Sequence, residues 1–159
     1  MTDFKLIVPE KHTAPIYQYT ISFRPEETYM LFIESQYLII YSQEFLPNER
    51  LANQIELPMA SLDFILATIA RFKLPHDKGG LGGLNNSDSL VIKGEDIFIK
   101  KIIHPHYGLE MYSITNFNRR SYIAQSLNQE IEIFQEAMDA GLLEKLIDIN
   151  KNYHDGAYA

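Results

Sequence analysis

The chain of 159 residues contains no cysteine. That excludes a disulfide framework, a thiolate metal site and a cysteine nucleophile. Nowhere do about 18 apolar residues run uninterrupted, as a transmembrane helix would require. The opening stretch, Met1 to Pro9, holds only a short apolar run and no basic leader, so no secretory signal is expected there. A cytoplasmic location without a membrane anchor is the corresponding expectation. Positive charge is scarce as well: 14 Lys and Arg stand against 21 Asp and Glu, a net charge of -7. From Leu127 to Ala159 there are seven acidic residues against Lys145 and Lys151 alone. Such a field repels phosphate backbones and steers basic partners inward.

What is present is the composition of one globular domain, 46% hydrophobic and 22% charged. That balance supports a continuous core over residues 1–159. Ala14 to Phe23 alternates apolar and polar residues and reads as a strand. Arg24-Pro25-Glu26-Glu27 is a turn signal, and Tyr29–Ile33 and Tyr37–Tyr41 read as two central strands joined through Glu34-Ser35-Gln36. A fourth strand is expected at Arg50–Leu57. The period then changes: Leu62, Ile65, Leu66, Ile69 and Ala70 share one helical face, predicting a helix from about Pro58 to Phe72, with Pro75 forbidding continuation.

After the glycine-rich connection, residues 76–88, the order begins again. Strands are expected at Ser89–Lys93, Ile97–Ile103, Leu109–Asn116 and Ser121–Gln125. Ser126 and Gln129 have capping-box spacing, and Ile131, Phe134, Met138, Leu142 and Leu146 form an apolar stripe, predicting a second helix to about Asp148. The sequence thus reads as an α+β domain of two units, 14–73 and 89–148. Each has four antiparallel strands and then an amphipathic helix, and 149–159 is a frayed tail.

Few residues carry recognisable chemistry. His104 and His106 flank Pro105 and offer two imidazoles for a metal or proton-transfer site. Gly79-Gly80-Leu81-Gly82-Gly83 follows a helix and precedes a strand, the wrong context for a phosphate loop, and reads as a flexible connection. Lys93, Lys100, Arg119 and Arg120, with Tyr112 among them, are the candidate set for stacking and pairing single-stranded nucleic acid. Glu132, Glu136 and Asp139 recur at i, i+4 and i+7 on the expected second helix. With Glu130 and Glu144 they form the candidate partner-binding surface. Neither a paired-carboxylate geometry nor a nucleophile elbow is legible, so binding without a cofactor is expected rather than catalysis.

The twofold order of four strands and a helix resembles the Whirly-type single-stranded nucleic-acid-binding fold over roughly residues 14 to 148. Plant members of that family carry a Lys-Gly-Lys-Ala-Ala-Leu motif for DNA contact. The nearest match here is Lys93-Gly94-Glu95-Asp96, where acids replace the second lysine and the small residue. The same architecture is similar to that of some immunity proteins of contact-dependent growth inhibition in bacteria. That resemblance implies a non-enzymatic protein that binds and blocks a basic toxin domain such as a nuclease. The alternatives are a single-strand-binding module and an enzyme or metal protein around His104 and His106.

Overall fold

The computed structural model describes residues 1–22, 26–124 and 126–158. The elements are β1 (Tyr17–Ile21), β2 (Glu26–Glu34), β3 (Tyr37–Leu46), β4 (Glu49–Pro58), α1 (Leu62–Phe72), β5 (Ser87–Ile92), β6 (Glu95–Ile103), β7 (Glu110–Arg120), β8 (Asn128–Phe134), α2 (Gln135–Ala137) and α3 (Leu143–His154). Strands β1 to β4 form one antiparallel meander and β5 to β8 a second. The chain is therefore α+β, with two four-stranded sheets each followed by helix. The expected Arg24-Pro25 turn and the strand ends at Phe23 and Gln125 lie outside the described residues.

Local chemistry sets the tight turns. Ser35-Gln36 and Lys93-Gly94 have positive φ at both central positions. Two-residue loops of that kind match the right-handed twist of the flanking strands. Cross-strand pairing then assigns the faces. Tyr29 opposes Ser42, Leu31 opposes Ile40, and Ile40 opposes Ile55. Tyr29, Leu31, Ile40 and Ile55 face the main core, with Ile97, Ile99, Tyr112, Ile114, Ile131 and Ile133 of the second sheet and Leu62, Ile65, Ile69 and Phe72 of α1. The other face of the first sheet is covered by the N-terminal segment, whose Phe4 and Ile7 pack on Met30, Phe32, Ile39 and Tyr41.

The second half departs from the sequence expectation at one place with large consequences. The fourth strand is Asn128–Phe134, not Ser121–Gln125, and helix begins only at Gln135. Ser126 does not cap a helix; its hydroxyl donates to the Asn128 carbonyl. Gln129, Ile131 and Ile133 are buried in alternation while Glu130 and Glu132 face outward, the period of a strand. A sheet edge at β7 would otherwise expose a row of unpaired backbone groups, and β8 satisfies it. Helix then runs to His154, interrupted at Gly141, whose φ of 132° lies in the region open to glycine. The expected frayed tail is thus largely helical: Ile149 is buried, and Tyr153 and Tyr158 pack against the core. At the first helix, Pro58 closes β4 opposite Tyr37 rather than opening α1.

The glycine-rich connection is folded, not free. Leu81 N–H donates to the Arg71 carbonyl and Gly82 N–H to that of Leu74, occupying acceptors left over at the end of α1. A Cβ at Gly80 would lie 1.9 Å from the Leu74 carbonyl oxygen. Gly80→Ala should therefore cost roughly 1–3 kcal/mol of stability, as overpacking against backbone does, read from the midpoint of urea unfolding. A loop that tolerates the alanine would contradict this packing.

The sheets are joined by a buried polar network. Arg119 Nε donates to Glu95 Oε1 at 2.5 Å, and its Nη1 lies 3.6 Å from Glu56 Oε1. Tyr37 donates to Glu95, Gln129 Nε2 donates to Glu56 at 2.9 Å, and Tyr122 donates to Glu56 at 3.2 Å. Asn116 bridges the two sheets, donating to the Glu56 carbonyl and to the Glu95 carboxylate. Burial opposes ionisation of Glu95, but the donors Arg119, Tyr37 and Asn116 outweigh it and hold the carboxyl below its usual range. Arg119→Ala would leave two carboxylates buried together without their cation. A loss of about 3–5 kcal/mol is expected in chemical denaturation.

Candidate functional site

Strand β8 meets the first sheet edge to face. Tyr29 hydroxyl donates to the Glu132 carbonyl at 2.9 Å and Asn53 Nδ2 to the Glu130 carbonyl at 2.6 Å. These side chains satisfy two acceptors of β8 and tie that strand to the other sheet. Below this seam lies the common core. Above it the sheets diverge, and the outward side chains of β8 face the far half of the first sheet.

The result is a cleft of two adjoining hollows of about 260 and 120 Å³, sharing Glu27, Glu44 and Glu132. Glu130, Ser42, Asn53 and Ser126 line the larger hollow, and His104, Tyr107 and Phe134 the smaller. Glu27 and Glu44 are register partners on neighbouring strands. Like charges placed directly opposite each other are destabilising. Among the described residues no lysine or arginine lines either hollow, and none forms an ion pair with the four glutamates.

The electrostatic consequence, among the described residues, is an acidic field without a neighbouring lysine or arginine. Burial, joined by the charges of Glu44 and Glu132, pushes Glu27 up to about 7 even though Tyr29 hydrogen-bonds it. Glu132 is raised too, by burial and then by Glu130 and Glu44. Tyr29 is raised by burial and by the neighbouring Glu27 charge. A cation placed between these carboxylates would favour the ionised forms of Glu27 and Glu132.

Of the expected acidic surface, Glu130 and Glu132 enter the cleft, but from a strand. Glu136, Asp139 and Glu144 do not line it. Asp139 accepts from Gln135 at the helical turn, while Glu136 and Glu144 are exposed on the helical segment. The i, i+4, i+7 cluster does not exist, because Glu132 precedes the helix. The alternation Glu130-Ile131-Glu132-Ile133 carried the signal of a strand and was masked by the longer apolar stripe. Nothing in the sequence reports the pairing of Glu27 with Glu44, and Glu27 lies in the expected Arg24-Pro25-Glu26-Glu27 turn.

The expected nucleic-acid set is dispersed. Tyr112 is buried with its hydroxyl on Gln135, and Arg119 is enclosed by Glu95, Glu56 and the rings of Phe4 and Tyr37. Lys100 lies on the outer face of the second sheet, Lys93 in the β5–β6 turn, and Arg120 at the end of β7. Alternation separates Lys100 from Tyr112, and a register irregularity between Asn116 and Arg120 accompanies the burial of Arg119. His104 is occupied structurally: its Nδ1 accepts from the N–H groups of His106 and Tyr107, and its ring stacks on Tyr107 at 4.5 Å. Among the described residues no group of three or more His, Cys, Asp and Glu is arranged to hold a metal ion.

No family model, curated protein or solved structure matches the chain. Among the described residues no helix is long and apolar enough to cross a membrane.

The raised Glu27 makes stability depend on pH. The folded protein keeps this proton to about pH 7, whereas an ordinary carboxyl releases it near 4.5. The folded state therefore binds more protons in that window, and stability falls as pH rises through it. Glu27→Gln should flatten this decline and stabilise the protein at pH 8 by roughly 1–3 kcal/mol. Urea unfolding at pH 5 and pH 8 measures both, and parallel pH dependence in the two proteins would refute the assignment.

Proposed function

We propose that this protein is a non-enzymatic binding protein that seats cationic side chains of a basic protein partner in the Glu27/Glu44/Glu130/Glu132 cleft. The single observation that carries this reading is the convergence of four glutamates from both sheets without a lysine or arginine among the described lining residues. Arginine suits the site best, since its planar guanidinium bonds two carboxylates at once and sheds water more readily than an ammonium. A bound cation favours ionised Glu27, so binding is accompanied by release of the proton that Glu27 holds in the free cleft.

An immunity-type role follows from the same features. A toxin nuclease carries a basic active site to hold phosphate, and an acidic cleft is its electrostatic complement. The immunity-type reading draws on the order of two four-stranded sheets each followed by helix. Phosphate would meet repulsion in the cleft, and the dispersal of Lys93, Lys100, Arg119, Arg120 and Tyr112 removes support for single-strand binding.

The test is co-expression with the products of neighbouring reading frames, followed by co-purification and kinetics on any basic protein retained. The double reversal Glu130→Lys with Glu132→Lys should slow association with that protein by about tenfold or more at low salt and reduce the salt dependence of the rate. Association and salt dependence left unchanged would remove the cleft from the interface.

A further inference from the structure

The two sheets are built alike yet their outer faces are treated differently. On the first sheet, Met30, Phe32, Ile39 and Tyr41 are shielded by the chain's own segment carrying Phe4 and Ile7. On the second sheet the outer face has no such cover among the described residues. Val91, Phe117 and Leu127 are 64%, 47% and 77% exposed. The rings of Phe98 and Phe117 lie 5.8 Å apart, tilted by 57°.

This face is a groove of about 410 Å³. One wall is Phe98, Lys100 and Ile102 of β6, and the other is Leu127, Asn128 and Glu130. Its floor is Ser113 and Thr115 of β7, which are 7% and 5% exposed. Among the described residues neither hydroxyl has a hydrogen-bond partner, so both are available to a backbone laid above them. The walls stand on strands two positions apart, about 10 Å from spacing of about 4.8 Å per strand. An extended segment fits that width. The groove runs into the acidic cleft, for Ser126 and Glu130 line both.

We infer that the groove over β7 is the second half of the partner interface and receives an extended, alternately apolar segment continuous with the partner's cationic anchor. The inference rests on the cleft reading above and specifies the partner's chemistry: basic side chains in the cleft, then a strand whose apolar positions lie on Phe98, Phe117 and Leu127. The first sheet supplies the precedent, a chain segment whose Phe4 and Ile7 side chains cover the outer face.

Three synthetic peptides test it by amide chemical-shift mapping and fluorescence titration of the full chain. Arg-Arg-Val-Thr-Val-Phe-Val-Thr has both features, Arg-Arg-Ser-Thr-Ser-Gly-Ser-Thr only the anchor, and Gly-Ser-Val-Thr-Val-Phe-Val-Thr only the strand. The first should shift amides in both cleft and groove, and bind at least about tenfold more tightly than either of the others. Phe117→Ser with Leu127→Ser, at positions exposed enough to spare the fold, should abolish that gain and leave binding of the anchor-only peptide unchanged. If the variant binds the first peptide as wild type does, the groove assignment is overturned while the cleft reading stands. If neither arginine peptide shifts the cleft amides, the cleft reading falls and the inference with it. Concentration-dependent dimerisation abolished by the same substitutions would assign the face to a second copy and also overturn the inference.

Discussion

The arrangement of the two sheets depends on one buried guanidinium. Arg119 stands between Glu95 of its own sheet and Glu56 of the other, with Tyr37, Asn116, Gln129 and Tyr122 completing the donors. Buried ion pairs contribute little net stability, but their geometry is demanding, and a misregistered sheet would strand charges in the core. The network therefore selects the crossing in which β4 meets β7 and β8. Phe4 lies over the same guanidinium, and the Tyr122 hydroxyl shares its one proton between Glu56 and the Phe4 carbonyl. The N-terminal cover of the first sheet is thereby tied to the joint between the sheets.

That crossing determines where negative charge goes. With β8 laid edge-on against the first sheet, its inward residues join the core, and Glu130 and Glu132 on its other side line the angle between the sheets. Two glutamates of β8 consequently face two glutamates that the first sheet's own register has already placed side by side. The fold pairs the charges in the joint, whereas among the described residues no lysine or arginine meets the glutamates a short way along the same seam. A contrast of this kind, satisfied polar groups in one place and opposed like charges in another, is where binding is expected to reside.

Much of the architecture was legible from hydrophobic period alone. Strands β2 and β3 are strongly apolar and bounded by turn residues, and the helix Leu62–Phe72 shows its face at regular spacing, so their types were evident before any contact was known. The misreading came at Ser126 to Phe134. There a capping-box spacing and an apolar stripe agreed with a helix, while the alternation of glutamate and isoleucine agreed with a strand. Hydrogen bonding to β7 decided between them, and that is a non-local interaction. The same cause moved Glu130 and Glu132 from an imagined helix face into the cleft, and hid Glu27 and Glu44 altogether.

By itself the sequence determined the α+β class, the twofold order of elements, the absence of cysteine chemistry and the acidic bias, because these follow from composition and local period. Tertiary structure alone decided which lysines and arginines are available and which carboxylates meet. It buried Arg119 and Tyr112, folded the glycine loop onto α1, and brought Glu27 and Glu44 opposite Glu130 and Glu132 across a gap of more than eighty residues in sequence. The physical reason is that charge acts through space and burial, whereas period acts along the chain.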